Sequence, residues 1–381
     1  YGYCLGGDTP YPSSTVQRTD YANDNSTASV KGPLAAAGSY FNSVGNINYG
    51  YTGGSNGNWP SVPNNFSMID RVDYSNDTVT ATITNPTGFY PDSGNNYGAV
   101  GNQNFGYFVG GQQSGTGTKS WVRRLDYSND SAATVLKGPI TQVSDGITAA
   151  TGNADFGYLN ANNYGTTGSK IDRIDYANDT ATAQTKGSLS WSGNRKAATG
   201  NKDFGYFSGG GYPERTTVDR IDYSSDTGTA SPKGPLDFVV RDHSAFSARE
   251  YGLPQTPIAA IVAPFQPPFS FPVENYDVPT TGHGYIAGGS GQSSVNRIDY
   301  ANDSATAATK GNLPSVARLG GGAGNQSYGY TMGGYDGISW NGASTVYRVD
   351  YANDTGTPTT KGPLSAGRKY VDSIGNNSYG Y

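Results

Sequence analysis

The chain has 381 residues, of which 55 are glycine and 30 are tyrosine, and its formal net charge is −5. Only three glutamates and two methionines occur, which argues against a mainly helical fold because long helices use these residues in quantity. Charged residues make up 14% of the chain, too few for charge-driven disorder. No apolar run of about 18 residues could span a membrane. The composition therefore predicts an all-β protein.

The acidic net charge and the single cysteine argue against nucleic acid binding, disulfide bonds and a zinc cluster. A net charge of −5 works against non-specific binding to nucleic acid. Cys4 is the single cysteine, so no intramolecular disulfide can form and no zinc cluster is indicated. We expect no metal and no cofactor. The sequence opens at Tyr1 without methionine or a signal-like segment, which predicts a processed product or part of a longer polypeptide.

A seven-fold internal repeat runs through the chain. Its core reads Arg-x-Asp-Tyr, usually followed two residues later by Asn-Asp. Successive cores are 53, 53, 49, 47, 77 and 51 residues apart. Regular spacing of this kind predicts one structural unit per copy. The cores begin at Arg18, Arg71, Arg124, Arg173, Arg220, Arg297 and Arg348.

Each copy contains four short strand-like pieces with turn residues between them. An aromatic-Gly-Tyr piece, such as 49–51, precedes the core, and a Lys-Gly pair and a Gly-Asn pair follow it. Four strands in about 50 residues, repeated seven times, predict one seven-bladed β-propeller over residues 1–381. With strands lettered a to d from the axis outward, aromatic-Gly-Tyr forms strand b and the core forms strand c. Strand d precedes Lys-Gly, and strand a precedes Gly-Asn.

The chain begins and ends on the same element, Tyr-Gly-Tyr at 1–3 and at 379–381. We expect strand a near 370–375 to join strands b to d of the N-terminal unit. The N-terminal and C-terminal strands would then close the ring within one blade.

The order of these parts resembles the kelch repeat, which also carries an arginine before its innermost strand. The chain has arginines there at Arg195, Arg241, Arg318 and Arg368, but it lacks the kelch tryptophan of the outer strand. The full repeat, with its Arg-Ile-Asp-Tyr and Ala-Asn-Asp-Thr segments, also resembles repeats in structural proteins of marine bacteriophages. That resemblance implies an extracellular virion protein, a tail or fibre component, whose partners are other virion proteins or host surface glycans.

The core arginines and aspartates are interpreted as structural. Blades pack face to face, so an arginine on strand c needs an acidic partner, either two residues along or on the neighbouring blade. Turn chemistry accounts for the Asn-Asp pairs, and glycine beside tyrosine would let a ring from a neighbouring blade lie on bare backbone. The residues of this repeat are Arg71, Asp73, Arg124, Asp126, Arg173, Asp175, Arg220, Asp222, Arg297, Asp299, Arg348 and Asp350.

The loops between strands b and c vary in length and carry aromatic residues among Asn, Ser and Gly. In a propeller these loops share one face with the d–a loops, so the pattern predicts a recognition surface. Sugars are the favoured ligands, because their apolar faces stack on aromatic rings. The alternative is that loop drift placed aromatics there without a function. The aromatics are Trp59, Trp121, Tyr164, Tyr212 and Trp340.

One insertion interrupts the repeat at 249–281, between strands a and b. It is rich in proline and carries Phe265, Phe269 and Phe271. It is either a docking arm for a partner subunit or a proline-stiffened excursion packed on the propeller, which would hide the phenylalanines.

No catalytic motif accompanies the repeat, so we expect a protein that is not an enzyme. A copper-radical oxidase of the galactose oxidase type shares the kelch propeller, but it needs a Cys-linked Tyr and two histidines. The chain offers only Cys4, His243 and His283. The leading expectation is a virion protein for adhesion or docking. The alternative is a secreted or cell-surface bacterial adhesin.

Overall fold

In a computed structural model of the chain, the described residues are 2–7, 12–19, 26–38, 41–54, 68–84, 94–95, 98–113, 117–144, 149–161, 168–211, 213–241, 243–247, 282–325, 327–335 and 342–375. The expected insertion at 249–281 lies outside them. They form seven sheets of four antiparallel strands and one small three-stranded sheet. In each four-stranded sheet the strand order is a-b-c-d, and each strand a contacts strand a of both neighbouring blades, which closes a ring. The predicted all-β, seven-bladed propeller is confirmed.

The strands of blades 1 to 7 follow the predicted pieces of the repeat. Strand a spans Asp372–Gly375, Asn42–Gly45, Gly98–Gly101, Ala149–Gly152, Ala197–Gly200, Ser244–Ser247 and Gly321–Gly324. Strand b spans Gly2–Leu5, Tyr49–Gly53, Phe105–Val109, Phe156–Asn160, Phe204–Ser208, His283–Ala287 and Tyr328–Met332. Strand c spans Val16–Thr19, Ile69–Asp73, Val122–Asp126, Ile171–Asp175, Val218–Asp222, Val295–Asp299 and Val346–Asp350. Strand d spans Ser29–Val30, Thr82–Ile83, Val135–Leu136, Gln184–Lys186, Ser231–Pro232, Ala308–Thr309 and Thr359–Lys361.

Few other elements occur in the described part of the chain. Two 3-10 helices, Tyr127–Asn129 and Tyr351–Asn353, lie in c–d turns. The small sheet joins Gly94–Asn95, Gln112–Gln113 and Gly117–Thr118. No helix among the described residues is long and apolar enough to cross a membrane.

Blade 1 is closed by strands from both ends of the chain, as predicted. Gly2–Leu5 pairs with Val16–Thr19 on one side and with Asp372–Gly375 on the other. Gly2 lies opposite Gly375, the same register that places Gly50 opposite Gly45 inside blade 2. The C-terminal strand therefore takes the place that a hairpin supplies in the other blades.

Asparagine fixes the tight a–b turns of the repeat. In blade 4, the side-chain oxygen of Asn153 accepts hydrogen bonds from the backbone N–H groups of Asp155 (3.0 Å) and Phe156 (2.9 Å). This Asx turn explains why Gly-Asn recurs at the end of strand a. The same pair of bonds forms at Asn46, Asn102, Asn201 and Asn325.

Tyrosine rings fill the space between blades in place of leucine. The tyrosine of each aromatic-Gly-Tyr piece is fully buried, and in blades 1 to 6 it stacks on the core tyrosine that follows strand c of the next blade, as Tyr107 does on Tyr176 with centroids 4.9 Å apart. A Cβ at Gly157 would lie 2.7 Å from the hydroxyl oxygen of Tyr176. The expectation that a neighbouring blade supplies the ring over this glycine was wrong. The ring belongs to the same blade, because strand c returns alongside strand b.

Candidate functional site

One carboxylate joins each described pair of blades through two or three side chains of the preceding blade. Between blades 3 and 4, Tyr107 Oη and Arg124 Nη1 each donate to Oδ2 of Asp179 at 2.8 Å. Lys137 Nζ lies 2.9 Å from Oδ1 of the same carboxylate. We call this group the blade node. Both oxygens of a buried carboxylate are thus occupied by structural donors.

The node recurs around the ring and resolves the open choice of arginine partner. The arginine pairs with the c–d turn aspartate of the neighbouring blade, which belongs to Asn-Asp at five interfaces and to Ser-Asp at Asp226, at 2.5 to 2.8 Å, and not with the aspartate two residues along. Turn chemistry alone therefore does not explain the Asn-Asp pairs. The six pairs are Arg18–Asp77, Arg71–Asp130, Arg124–Asp179, Arg173–Asp226, Arg220–Asp303 and Arg297–Asp354.

The aspartates of Arg-x-Asp cap the c–d turns instead. Oδ1 of Asp126, for example, accepts bonds from the backbone N–H (2.9 Å) and the hydroxyl (2.7 Å) of Ser128. Asp73, Asp175, Asp222, Asp299 and Asp350 accept the equivalent backbone bond. Arg348 lies opposite Tyr330 in blade 7, the same register as the other core arginines.

The electrostatics of the node fit a structural role. Burial raises the pKa of Asp179, but hydrogen bonds from Lys137 and Tyr107 and the charge of Arg124 outweigh it and hold that pKa below its usual range. Burial first, and then the hydrogen bond to Asp179, raise the pKa of Tyr107 far above its ordinary value. The carboxylate stays ionised and the phenol stays protonated at neutral pH, so neither is poised to exchange a proton.

The b–c and d–a loops meet on one face, which we call the variable face. The bridges that join them are Ser13–Gly38, Lys119–Ser144, Arg215–Val240 and Ala343–Arg368. In blade 3, Gly111 has φ +96° and donates its N–H to the carbonyl of Ser144 at 2.8 Å. Glycine adopts this left-handed conformation freely, which explains the Gly-Gly pair after strand b.

Of the five predicted recognition aromatics, the described part of the chain contains Trp121. It is half-buried and directly precedes strand c of blade 3. Lys119 Nζ lies 5.3 Å and the Arg123 guanidinium carbon 5.9 Å from its ring centroid, within the range of cation–π attraction. The other four, Trp59, Tyr164, Tyr212 and Trp340, lie outside the described residues, as do Phe265, Phe269 and Phe271.

A second aromatic contact lies on the variable face and was not predicted from the sequence. The guanidinium carbon of Arg215 lies 4.0 Å from the ring centroid of Trp191, and Arg241 Nε lies 3.2 Å from Glu214 Oε1. Trp191 belongs to a d–a loop and Arg215 to a b–c loop. The only sign of this contact in the sequence was the presence of a tryptophan between Lys-Gly and Gly-Asn.

Three d–a loops share a strained backbone position at the centre of the variable face. Arg195, Leu319 and Tyr370 have φ of 57°, 60° and 53°, and each lies two residues before an innermost strand. The backbone N–H of Tyr370 donates to the carbonyl of Leu319 at 2.9 Å, so the segments of the neighbouring blades 7 and 1 touch, whereas Arg195 belongs to blade 5. We call residues 190–196, 314–320 and 365–371 the axial segments.

The two histidines lie at opposite ends of blade 6. His243 precedes strand a on the variable face, and its Nε2 is 3.0 Å from Ser208 Oγ. Burial lowers the pKa of His243 to about 3, so its imidazole is neutral. His283 begins strand b at the other end, roughly 13 Å away by the rise of a strand. Across the described ranges, no group of three or more His, Cys, Asp or Glu side chains could hold a metal ion.

The architecture defines the chain as a seven-bladed β-propeller with four-stranded blades. The propeller YjhT is a solved structure of similar fold, with a TM-score of 0.58 and 10% sequence identity over 86% of this chain and 98% of YjhT. At that identity the likeness shows the fold alone. No protein-family model and no curated protein matches the chain.

Proposed function

We propose that the chain is a non-enzymatic recognition module, a propeller that presents its variable face to a partner. The observation that carries the proposal is the contrast between the two faces. The regular face is made of repeated Asx turns and capped c–d turns, whereas the variable face differs from blade to blade and carries Trp121 and Trp191 beside cationic side chains. Aromatic rings next to cations suit sugar recognition.

The biological setting that we favour is a phage virion, as a tail or fibre component bound to other virion proteins or to host surface glycans. Its support is the resemblance of the repeat to those of marine phage structural proteins. The kelch-like order of the strand pieces supports a divergent kelch relative. A secreted or cell-surface bacterial adhesin with the same propeller is the second candidate.

The distribution of reactive side chains supports a non-catalytic role. His243 and His283 are too far apart to share a metal ion, and Cys4 is buried in an apolar cluster with Tyr330 and Met332. A copper-radical oxidase would need these groups at one centre. The node carboxylates are occupied by donors from the neighbouring blade.

Binding of the purified chain to a glycan array and to intact marine bacteria tests the recognition function. We expect saturable binding that Trp121→Ala weakens, while Trp59→Ala and Trp340→Ala examine the loops beyond the described residues. Mass spectrometry of purified virions tests the setting, since a tail or fibre component is present there in fixed copy number. A variant set that leaves every interaction unchanged, or copper-dependent oxidation of a sugar alcohol lost in His243→Ala, would reject the recognition proposal.

A further inference from the structure

Three consecutive glycines, residues 209–211, follow strand b of blade 5 and each lie against one polar side chain. Their φ angles are 57°, 85° and 84°. A Cβ at these positions would lie 2.8 Å from His243 Cε1, 2.6 Å from Lys196 Cγ and 2.9 Å from Trp191 Cζ2, in that order. One turn of backbone therefore brings an imidazole, an ammonium and an indole together. We call the three glycines and these three side chains the triglycine site.

The polar atoms of the triglycine site lack the partners that buried groups normally have. Lys196 is 7% exposed and its ammonium donates to the carbonyl of Gly193, but none of the described carboxylates forms an ion pair with it. Trp191 Nε1 and His243 Nδ1 are buried and have no hydrogen-bond partner among the described residues. Because buried polar groups in folded proteins are nearly always bonded, three deficient groups at one turn point to a ligand that bonds to them.

The charges at the triglycine site favour an anion over a neutral ligand. Burial lowers the pKa of Lys196 to about 8, so its ammonium is still charged at pH 7. The exposed guanidinium of Arg215 adds a second positive charge, 4.0 Å from the ring centroid of Trp191. Asp219 attracts Lys196, but its carboxylate already accepts bonds from the hydroxyl (2.6 Å) and the N–H (2.9 Å) of Ser190. A buried ammonium without a counterion is costly, and a bound anion would remove that cost.

We propose that the triglycine site binds one small monovalent anion, either a halide ion or a carboxylate group. The ammonium of Lys196 supplies the charge, and the indole N–H of Trp191 supplies a hydrogen bond to the anion. Both groups flank one residue, since Gly193 accepts from Lys196 and a Cβ at Gly193 would lie 3.2 Å from Trp191 Nε1. The inference goes beyond the recognition function and does not depend on it.

The acidic net charge of the chain does not oppose a ligand of this size. Charges are screened over about 8 Å at physiological salt, so a single anion responds to the charged groups beside it. Glu214, next to Arg215 in the chain, is neutralised by Arg241, whose Nε lies 3.2 Å from Glu214 Oε1. A polyanion would also extend over the rest of a surface whose net charge is −5, and we expect none to bind here.

Thermal unfolding of the chain in different sodium salts at one fixed ionic strength tests the inference, with the bulky anion of HEPES as the reference. We expect chloride, bromide or acetate to raise the melting temperature above that in HEPES, because a ligand that binds only the folded state stabilises it. The dependence on salt concentration gives the dissociation constant. A response to the two halides alone assigns a halide ion, and a response to acetate assigns a carboxylate group.

Variants separate binding at the triglycine site from general salt effects. Lys196→Met should weaken anion binding at least tenfold, yet keep or raise the melting temperature in HEPES because it removes a buried charge. Trp191→Phe, which keeps a ring beneath Arg215, should weaken binding about fivefold, the loss of one hydrogen bond. The matched control Lys202→Met removes a cation whose side chain is 81% exposed on the regular face, and should leave binding unchanged. Equal melting temperatures in all four salts, or an anion effect that persists in Lys196→Met, would overturn the inference.

Discussion

The interface between blades 3 and 4 and that between blades 2 and 3 are built from the same parts with one exception. Both have an arginine and a buried tyrosine that donate to one carboxylate, Asp179 in the first and Asp130 in the second. Lys137 adds a second cation in the first, whereas Thr84 occupies that position in the second and bonds to the carbonyl of Ile69. The Asp130 side chain is 13% exposed, against 5% for Asp179.

This difference separates what specifies the interface from what strengthens it. The arginine-to-carboxylate distance is 2.7 Å in the interface without lysine and 2.8 Å in the one with it. Arginine and tyrosine are therefore sufficient to set the geometry. Lysine excludes water from the carboxylate and neutralises it further, which is a contribution to stability.

Removal of the carboxylate should produce the largest difference between the two interfaces. Asp179→Asn leaves Arg124 and Lys137 partly buried without a counterion, so we expect a loss of about 3 kcal/mol in the free energy of unfolding. Asp130→Asn leaves only Arg71 without its counterion and should lower the free energy of unfolding by about 2 kcal/mol. Urea unfolding followed by tyrosine fluorescence measures both. Equal losses would show that the lysine contributes nothing.

Exchanging the residue at the position of Lys137 and Thr84 should give each interface the stability of the other. Thr84→Lys places a second cation beside Asp130 and should add about 1 kcal/mol of stability, whereas Thr84→Met adds the length without the charge. Lys137→Met should cost about the same amount in the other interface. The melting temperatures of the three variants show whether the lysine acts through its charge. A gain from Thr84→Met as large as that from Thr84→Lys would assign the effect to packing.

Acid should weaken the interface between blades 3 and 4. The pKa of Asp179 is held below its usual value, so its stabilising effect is complete above about pH 4 and is lost as pH falls through the lowered pKa. Lys137→Met removes one of the causes of that lowering and should make the acid limb of the stability curve shallower. Unfolding midpoints between pH 2 and pH 7 provide the measurement. An unchanged acid limb in Lys137→Met would contradict this account.

A third interface, between blades 1 and 2, contains a carboxylate whose pH dependence has the opposite sign. Burial raises the pKa of Asp70 to about 7, since its one described hydrogen bond is a 3.3 Å bond from the N–H of Ala35. Between the ordinary pKa near 4 and that value, stability falls as pH rises. In blade 5, the hydroxyl of Ser190 supplies an additional 2.6 Å bond to Asp219.

Ala35→Ser should therefore provide Asp70 with the bond that Asp219 already has. We expect the pKa of Asp70 to fall and the protein to gain about 1 kcal/mol at pH 8. At pH 5, where Asp70 is protonated, the gain should be smaller. Carboxyl chemical shifts titrated by NMR and unfolding at the two pH values check this, with Ala35→Gly as the control that adds no hydroxyl. A gain that is the same at both pH values would disprove the link to Asp70.

The period of the sequence predicted the blades well because each blade is a local unit. Seven core arginines, the strand-like pieces around them and one Tyr-Gly-Tyr repeat were enough to place strands a to d and the closure of blade 1. The partner of Arg124 could not be predicted, because Asp126 lies on the same face of its strand and a neighbouring aspartate fits equally well. Only the packing of one sheet on the next selects Asp179.

Less of the candidate site could be predicted from the sequence, because its contacts also join separate parts of the chain. Trp121 was found because aromatic residues stand out in a b–c loop, but the contact of Trp191 with Arg215 joins two loops that are separate in the repeat. The left-handed positions at Arg195, Leu319 and Tyr370 have no sequence signal, since these residue types rarely adopt positive φ.

The register of Gly2 with Gly375 also constrains how the protein can fold during synthesis. Six blades take all four strands from one stretch of chain and can form as the ribosome releases them. Blade 1 must wait for Asp372–Gly375, and until blade 7 forms, the face of blade 1 that carries Cys4 and Ala28 lacks its partners Tyr330 and Met332. The nascent chain thus carries one uncovered apolar face on blade 1 until blade 7 is made, and chaperone binding would be most useful there.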